Sequence, residues 1–272
     1  MVNEKYHGLG TAPSVIRELF AYGLQQAKVV GKENVFDYSL GNPSIPAPAK
    51  VNETIKKLID TTDSIQLHGY SMAPGFENVR QAIADNLNAR FNCNAKASEL
   101  FMTCGCAPAL VSVAHALTTS PEDEFIAIAP FFPEYNVFFT CAGAKLAVVP
   151  ADTVHFQIDI DALEKTINEH SVAVVINSPN NPSGVVYTEE TLKKIAELLE
   201  RKSKEYGHPI YIVADEPYRE LVYDGVKVTF IPNVYDNTIV CYSWSKSLSL
   251  PGERIGYVYV PEKCADAKAV YD

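Results

Sequence analysis

Residues 171–184, SVAVVINSPNNPSG, join an unbroken apolar run to a string of Asn and Pro that neither a strand nor a helix accommodates cheaply. A run such as VAVVI, with no polar interruption, reads as a strand covered on both faces, because a strand with one wet face alternates apolar and polar residues. The same kind of run recurs on either side of it. FIAIA (125–129), KLAVVP (145–150), PIYIVAD (209–215) and TIVCYS (238–243) read as strands, FMT (101–103) as a shorter one and RIGYVYV (254–260) as the last. Helical patterns fill the intervals, at about 107–118, in PEYNVFFTCAG (133–143), in IDALEKTIN (160–168) and in TEETLKKIAELLERKSKEY (188–206). Further helices are expected over about 48–60 and 76–91, and over 14–30 with Ser14 as its start. VFDYSL (35–40) reads as a short strand ended by the turn GNPSIPAP (41–48). This alternation predicts βαβ units, an α/β fold with a mostly parallel sheet flanked by helices. In such sheets ligands sit beyond the carboxyl ends of the strands, so chemistry is expected just after the apolar runs.

The chain has 272 residues, 47% hydrophobic and 21% charged, enough for one large domain or two small ones with a sizeable core. Its net charge of −10 disfavours nucleic acid or an anionic membrane surface as partner, since both require clustered Lys and Arg. Six cysteines are too sparse for a disulfide scaffold, and the Cys104-x-Cys106 pair has no second pair at zinc-site spacing, so no metal is expected. The opening MVNEKYHGLG lacks the apolar stretch of a signal peptide, and no run approaches the roughly 18 apolar residues of a membrane span. A cytoplasmic setting is expected.

Four segments carry unusual polar residues just after strand-like runs. In TCGCAPAL (103–110) a Gly turn opens a helix, presenting free backbone N–H groups suited to phosphate, although many such turns only join a strand to a helix. In NSPNNPSG (177–184) Asn181 could donate to a ligand oxygen, or the string could be a plain connection. In ADEPYREL (214–221) Asp215 could cap a following helix or hold a cationic ring nitrogen, and Tyr218 could donate to a phenolate oxygen on the same ring. In SWSKSLSLPGERIGY (243–257) Lys246 lies among serines beside Trp244, with Arg254 eight residues on. A solvated loop lysine is the commonest alternative, but a lysine partly withdrawn from water becomes a competent amine nucleophile, and the guanidinium fork of Arg254 suits phosphate.

Taken together and in order, these segments resemble the class I/II aminotransferases, fold-type I enzymes dependent on pyridoxal 5′-phosphate, of the aspartate-aminotransferase kind. The resemblance runs from about residue 35 to the end. It implies that Lys246 is the Schiff-base lysine and the proton shuttle, that Asp215 pairs with the pyridinium nitrogen, and that Tyr218 and Asn181 hydrogen-bond the phenolic oxygen, Asn181 also touching the substrate carboxylate. Ser243, Arg254 and the turn of Gly105, Cys106 and Ala107 would hold the phosphate, with Ser245 a weaker candidate. Within APFFPEY (129–135) Phe132, or next Tyr135, would stack on the ring. Tyr70, in GYSMAPG (69–75), would reach the phosphate of a neighbouring subunit, implying a homodimer, and Gly41 with Asn42 would border the substrate. The implied organisation is an N-terminal arm and start of a small domain over 1–45, and a cofactor-binding large domain over 46–272 with the small domain incomplete. The family continues into a C-terminal domain carrying an arginine for the substrate α-carboxylate. A fragment is therefore expected, with poor turnover by the chain as given. The implied reaction moves an amino group between an aspartate- or alanine-like amino acid and a 2-oxo acid by a ping-pong mechanism. A carbon–sulfur β-lyase on the same fold and a non-catalytic cofactor-binding regulator are the alternatives.

Overall fold

Seven of the apolar runs pair into one sheet, and the amphipathic segments between them form the helices that cover it. The computed structural model describes residues 1–272. The chain divides into two units, Met1–Pro46 and Ala47–Asp272.

The first unit holds α1 (Glu4–Thr11) and α2 (Val15–Val30). The Ser14 hydroxyl accepts from the Arg17 N–H (3.4 Å), the helix start that the sequence predicts. Residues 35–40 do not form the expected strand. The Asp37 carboxylate instead accepts from the Ser39 N–H (2.8 Å) and hydroxyl (2.6 Å), a local turn that competes with extended pairing.

The second unit runs α3 (Ala49–Thr61), α4 (Ser64–His68), α5 (Glu77–Phe91), β1 (Leu100–Thr103), α6 (Cys106–Leu117), β2 (Glu124–Ile128), α7 (Glu134–Cys141), β3 (Lys145–Val149), α8 (Ile160–Thr166), β4 (Ser171–Asn177), α9 (Glu189–Tyr206), β5 (Tyr211–Asp215), β6 (Thr238–Ser243), α10 (Trp244–Ser247), β7 (Gly256–Tyr259) and α11 (Ala267–Tyr271). The strand order is β1-β7-β6-β5-β4-β2-β3. β2 to β6 pair in parallel with one another, and β7 is antiparallel to both β6 and β1. Two antiparallel steps restore direction, so β1 runs the same way as β6. The carboxyl ends of β1, β4, β5 and β6 therefore share one edge of the sheet.

The unbroken apolar strands are explained by a core on each face. Successive residues alternate between the two: Ile126, Val174, Ile176 and Ile212 belong to one cluster with α5 and α9, while Phe125, Ala173, Val175 and Val213 belong to the other with α6 and α7. α9 follows its sequence pattern closely. Thr188 caps it, Glu189 and Glu190 occupy its first turn, Gly207 ends it in the left-handed region, and Leu192, Ile195 and Leu199 form its buried stripe. No helix is long and apolar enough to cross a membrane.

On the α6 and α7 face, Phe125 is wholly buried and stacks on Phe139 with ring centroids 4.2 Å apart. Phe125→Ala is expected to destabilise the protein by about 3–5 kcal/mol through lost burial and the cavity it leaves, seen as a lower urea midpoint with an unchanged slope.

Candidate active site

The register of the sheet sets the frame of the site. Thr103 pairs with Gly256 and Gly256 with Ser243, while Cys241 pairs with Asp215 and Asp215 with Asn177, so these residues line one edge. The four segments singled out in the sequence leave the sheet there.

Gly105 joins β1 to α6 at φ 100°, ψ 178°, a conformation open in practice to glycine alone. The first backbone bond into α6 is Ala109 N–H to Gly105 O (3.4 Å). The N–H groups of Cys106 and Ala107 thus have no acceptor within the helix, and Pro108 has no N–H to offer. A Cβ on Gly105 would lie 3.0 Å from Arg254 Nη2, which places the guanidinium against this turn. Arg254 adopts φ 53° and donates from Nη1 to Pro251 O (3.1 Å). Gly256 is needed for a different reason: a Cβ there would fall 2.5 Å from Tyr242 O and 2.8 Å from the carbonyl carbon of Gly105. Its absence lets β7 lie against the Gly105 turn. Helix dipole, free N–H groups and guanidinium converge on one place, a chemistry suited to phosphate.

Asp215 ends β5 and is buried. Its Oδ2 accepts from the Tyr135 hydroxyl (2.5 Å) and its Oδ1 from the Cys106 thiol (3.0 Å). Its backbone carbonyl accepts from Asn177 Nδ2 (2.8 Å). Burial raises the Asp215 pKa, and the two donors pull it back. Burial and the nearby carboxylate push Tyr135 and Cys106 well above their ordinary ranges, so both stay neutral and donate. A carboxylate withdrawn from water and met only by neutral donors would be favoured by a cation at its open side. The helix-capping reading of Asp215 does not hold. Residues 217–220 form turns, and the carboxylate faces Cys106 and Tyr135.

After β4, the Asn181 N–H donates to Asn177 Oδ1 (2.6 Å), while the Asn180 carboxamide oxygen takes the N–H and hydroxyl of Ser183 (3.0 and 2.7 Å). The loop so folded aims Asn181 Nδ2 at the Tyr218 hydroxyl (3.3 Å). Lys246 Nζ lies 5.9 Å from the centre of the Tyr218 ring. Lys246 sits on α10, a helical turn where the sequence suggests only a loop. Its side chain is half-buried, and desolvation lowers its pKa. Ser243, buried, starts that turn, and Ser245 is part of it.

The other predicted residues are less tightly gathered. Phe132 meets the Tyr135 ring edge-on at 5.8 Å. Tyr70 is fully exposed in the segment between α4 and α5. Gly41 belongs to the first unit, where Asn42 N–H donates to Leu40 O (2.7 Å). Two contributions are not foreseen from the sequence: the Tyr135 hydroxyl and the Cys106 thiol as the donors that hold Asp215.

Comparison with known proteins gives this edge its context. The family model "Aminotransferase class I and II" matches residues 33–270. The chain belongs to the class I and II aminotransferases. It is 32% identical over 253 residues to a probable N-acetyl-LL-diaminopimelate aminotransferase of Bacillus subtilis, covering 92% of this chain and 61% of that protein. Among solved structures, an amino transferase from Eubacterium rectale superposes with a TM-score of 0.97 at 60% identity, covering 100% of this chain and 68% of that one. The aspartate aminotransferase of Thermus thermophilus with maleate gives a TM-score of 0.82 at 25% identity, over 100% and 67% respectively. The chain thus spans about 61% of the length of the curated relative.

The cofactor of this aminotransferase family is pyridoxal 5′-phosphate, and the residues along this edge fit it. One end of the edge offers free N–H groups and a guanidinium for the phosphate. The middle offers a buried carboxylate for a cationic ring nitrogen, and beside it stand a hydroxyl, a carboxamide and a lysine amine.

The burial of Asp215 has a consequence for stability. Below its ordinary pKa of 3.8 the carboxyl is protonated in both folded and unfolded chains. As pH rises past that value the unfolded chain releases the proton first, so the unfolded state binds fewer protons and stability falls with pH. Asp215→Asn lacks this dependence. In cofactor-free protein its stability relative to wild type is expected to rise between pH 3 and pH 7, measured as the difference in urea midpoints. A difference, variant minus wild type, that stays flat or falls with pH contradicts the assignment.

Proposed function

We propose that this chain is the cofactor-binding part of an aminotransferase that moves an amino group between an L-amino acid and a 2-oxo acid by a ping-pong mechanism. The observation that carries the reading is the placement, along one sheet edge, of a half-buried lysine amine, a buried carboxylate with only neutral donors, and an anion cradle at a helix start.

Bound there, pyridoxal phosphate supplies an electron sink for charge developing at the substrate Cα. Lys246, whose amine desolvation makes easier to deprotonate, anchors the cofactor and then carries the proton at that carbon. Asp215 holds the proton of the ring nitrogen, and Cys106 and Tyr135 fix its two oxygens so that the carboxylate cannot turn away. Tyr218 and Asn181, already hydrogen-bonded to each other, orient the phenolic oxygen. The N–H groups of Cys106 and Ala107, the Gly105 turn, Ser243, Ser245 and Arg254 bind the phosphate. Phe132 would lie against the ring, and Asn181 would border the substrate. Tyr70, fully exposed, serves the phosphate of a second copy in a homodimer. An aspartate- or alanine-like donor is the substrate, and the Thermus enzyme named for aspartate supports the first. Six unpaired thiols accord with a reducing, cytoplasmic setting.

The test is chemical. Wild-type protein incubated with pyridoxal phosphate and reduced with borohydride is expected to gain one cofactor mass on the peptide containing Lys246. Lys246→Ala is expected to gain none and to lose at least about a hundredfold in turnover. Attachment elsewhere, or equal attachment in the variant, would overturn the assignment. With an amino donor and a 2-oxo acid varied together, parallel double-reciprocal lines are expected. Pyruvate release from cystathionine without any 2-oxo acid would point to a β-lyase instead.

A further inference from the structure

Tyr218 and Lys246 approach each other from different segments, and α10, which carries Lys246, is weakly held by its own backbone. It spans four residues, too few for a helix to persist unaided. The backbone bonds that close it, Leu248 N–H to Trp244 O, Ser249 N–H to Lys246 O and Leu250 N–H to Trp244 O, are 3.3–3.4 Å long, beyond the usual range.

A chain of side chains ties this turn to the segment that carries Tyr218. Glu220, two residues after Tyr218, has one carboxylate oxygen taken by Arg90 Nη1 (2.7 Å) and the other by the Tyr242 hydroxyl (3.0 Å). Tyr242 Oη is in turn 2.9 Å from Ser247 Oγ, on the residue after Lys246. The direction of this last bond follows from chemistry. Burial, first, and the Glu220 charge, second, push the Tyr242 phenol up, so it keeps its single proton. A carboxylate only accepts, so that proton goes to Glu220, and Ser247 must donate to Tyr242. Glu220 is itself held in place. Arg219, 4% exposed, lies 4.4 Å from the Tyr242 ring centre, pairs with Glu216 at 2.7 Å and reaches Glu220 at 3.5 Å. A donor chain that ends on an anchored carboxylate is polarised along its length and resists reorientation.

We infer that Glu220, acting through the hydroxyls of Tyr242 and Ser247, is a positioning residue that fixes the Lys246 turn relative to Tyr218. The inference rests on the role proposed for Lys246 above. None of the three side chains is assigned to cofactor or substrate.

Trp244, the single tryptophan, is on this same turn and reports on it directly. In cofactor-free protein under native conditions, Ser247→Ala and Tyr242→Phe are each expected to raise the acrylamide quenching constant of Trp244 fluorescence at least about twofold. Tyr242→Phe retains the ring that packs edge-on against Trp244 at 5.4 Å, so lost packing does not account for the change. Both variants are expected to slow borohydride-trapped attachment of pyridoxal phosphate to Lys246 several-fold. The double variant should do no more than the larger single one, because the bonds form one chain, and Ser247→Thr should restore both readouts. A lower melting temperature with wild-type quenching and attachment rates would show a purely structural network and overturn the inference, as would additive effects in the double variant. If the wild type attaches no cofactor at Lys246, the proposed function fails. The quenching series still decides whether the hydroxyl chain holds the turn.

Discussion

A carboxylate at the end of a central strand, shut away from water, is the constraint around which the functional edge of this protein is arranged. An ionised Asp215 facing only hydrocarbon would take up a proton. Two neighbours oppose that, the Cys106 thiol and the Tyr135 hydroxyl, each on one carboxylate oxygen, while the Asn177 carboxamide holds the backbone carbonyl of the same residue. These groups come from α6, α7 and β4, three elements that cover or flank β5. Holding Asp215 therefore fixes where α6 begins, and the start of α6 is where the free N–H groups lie. The same chain of dependence continues through Asn177, whose side-chain oxygen sets the Asn181 loop and so aims Asn181 at Tyr218.

The sheet makes this economy possible. Because β7 runs opposite to both neighbours, β1 at the far side points the same way as β4, β5 and β6. Polar residues from four separate strand ends then meet along one edge. The inserted strand has to begin hard against the turn that leaves β1, and this is met by removing side chains. Gly256 leaves room for the Gly105 carbonyl carbon, and Gly105 leaves room for the Arg254 guanidinium. Two glycines, 151 residues apart in the chain, thus solve one packing problem.

What was legible in the sequence was whatever is written contiguously. The unbroken apolar runs give a two-sided sheet because a strand with one wet face would alternate, and Asn181, Asp215, Tyr218, Lys246 and Arg254 each stand out within a polar string that follows a strand. What was not legible depends on long-range packing. Tyr135 lies 80 residues from Asp215, and only the docking of α7 turns an apparent ring-stacking residue into a hydroxyl donor. Cys106 reads only as part of a backbone turn suited to phosphate, since nothing local shows that its thiol faces β5. The antiparallel placement of β7 is likewise invisible in RIGYVYV, whose composition suits either direction. Residues 35–40 show the opposite error. Apolar and polar residues alternate there, but Asp37 satisfies the Ser39 backbone locally, and alternation has no force without a partner strand.

Asp215 and Glu216 are consecutive, both acidic and both buried, yet they are satisfied in opposite ways. For Glu216, burial pushes the pKa up and Arg219, 2.7 Å away, pulls against it, so the counter-charge is built into the chain. Arg219 is itself enclosed by the rings of Tyr242, Phe91 and Phe230. Such a pair closes on itself and has nothing to offer a ligand. The donors on the oxygens of Asp215 are both neutral, and this residue lies on the edge where a lysine amine and an anion cradle are also found. Burial alone would not tell the two acids apart, and neither would position in the sequence. The difference is where the balancing charge comes from. Glu216 draws it from within the fold, while the oxygens of Asp215 meet neutral donors, an arrangement that supports the proposed placement of the cofactor ring nitrogen against Asp215 rather than against its neighbour.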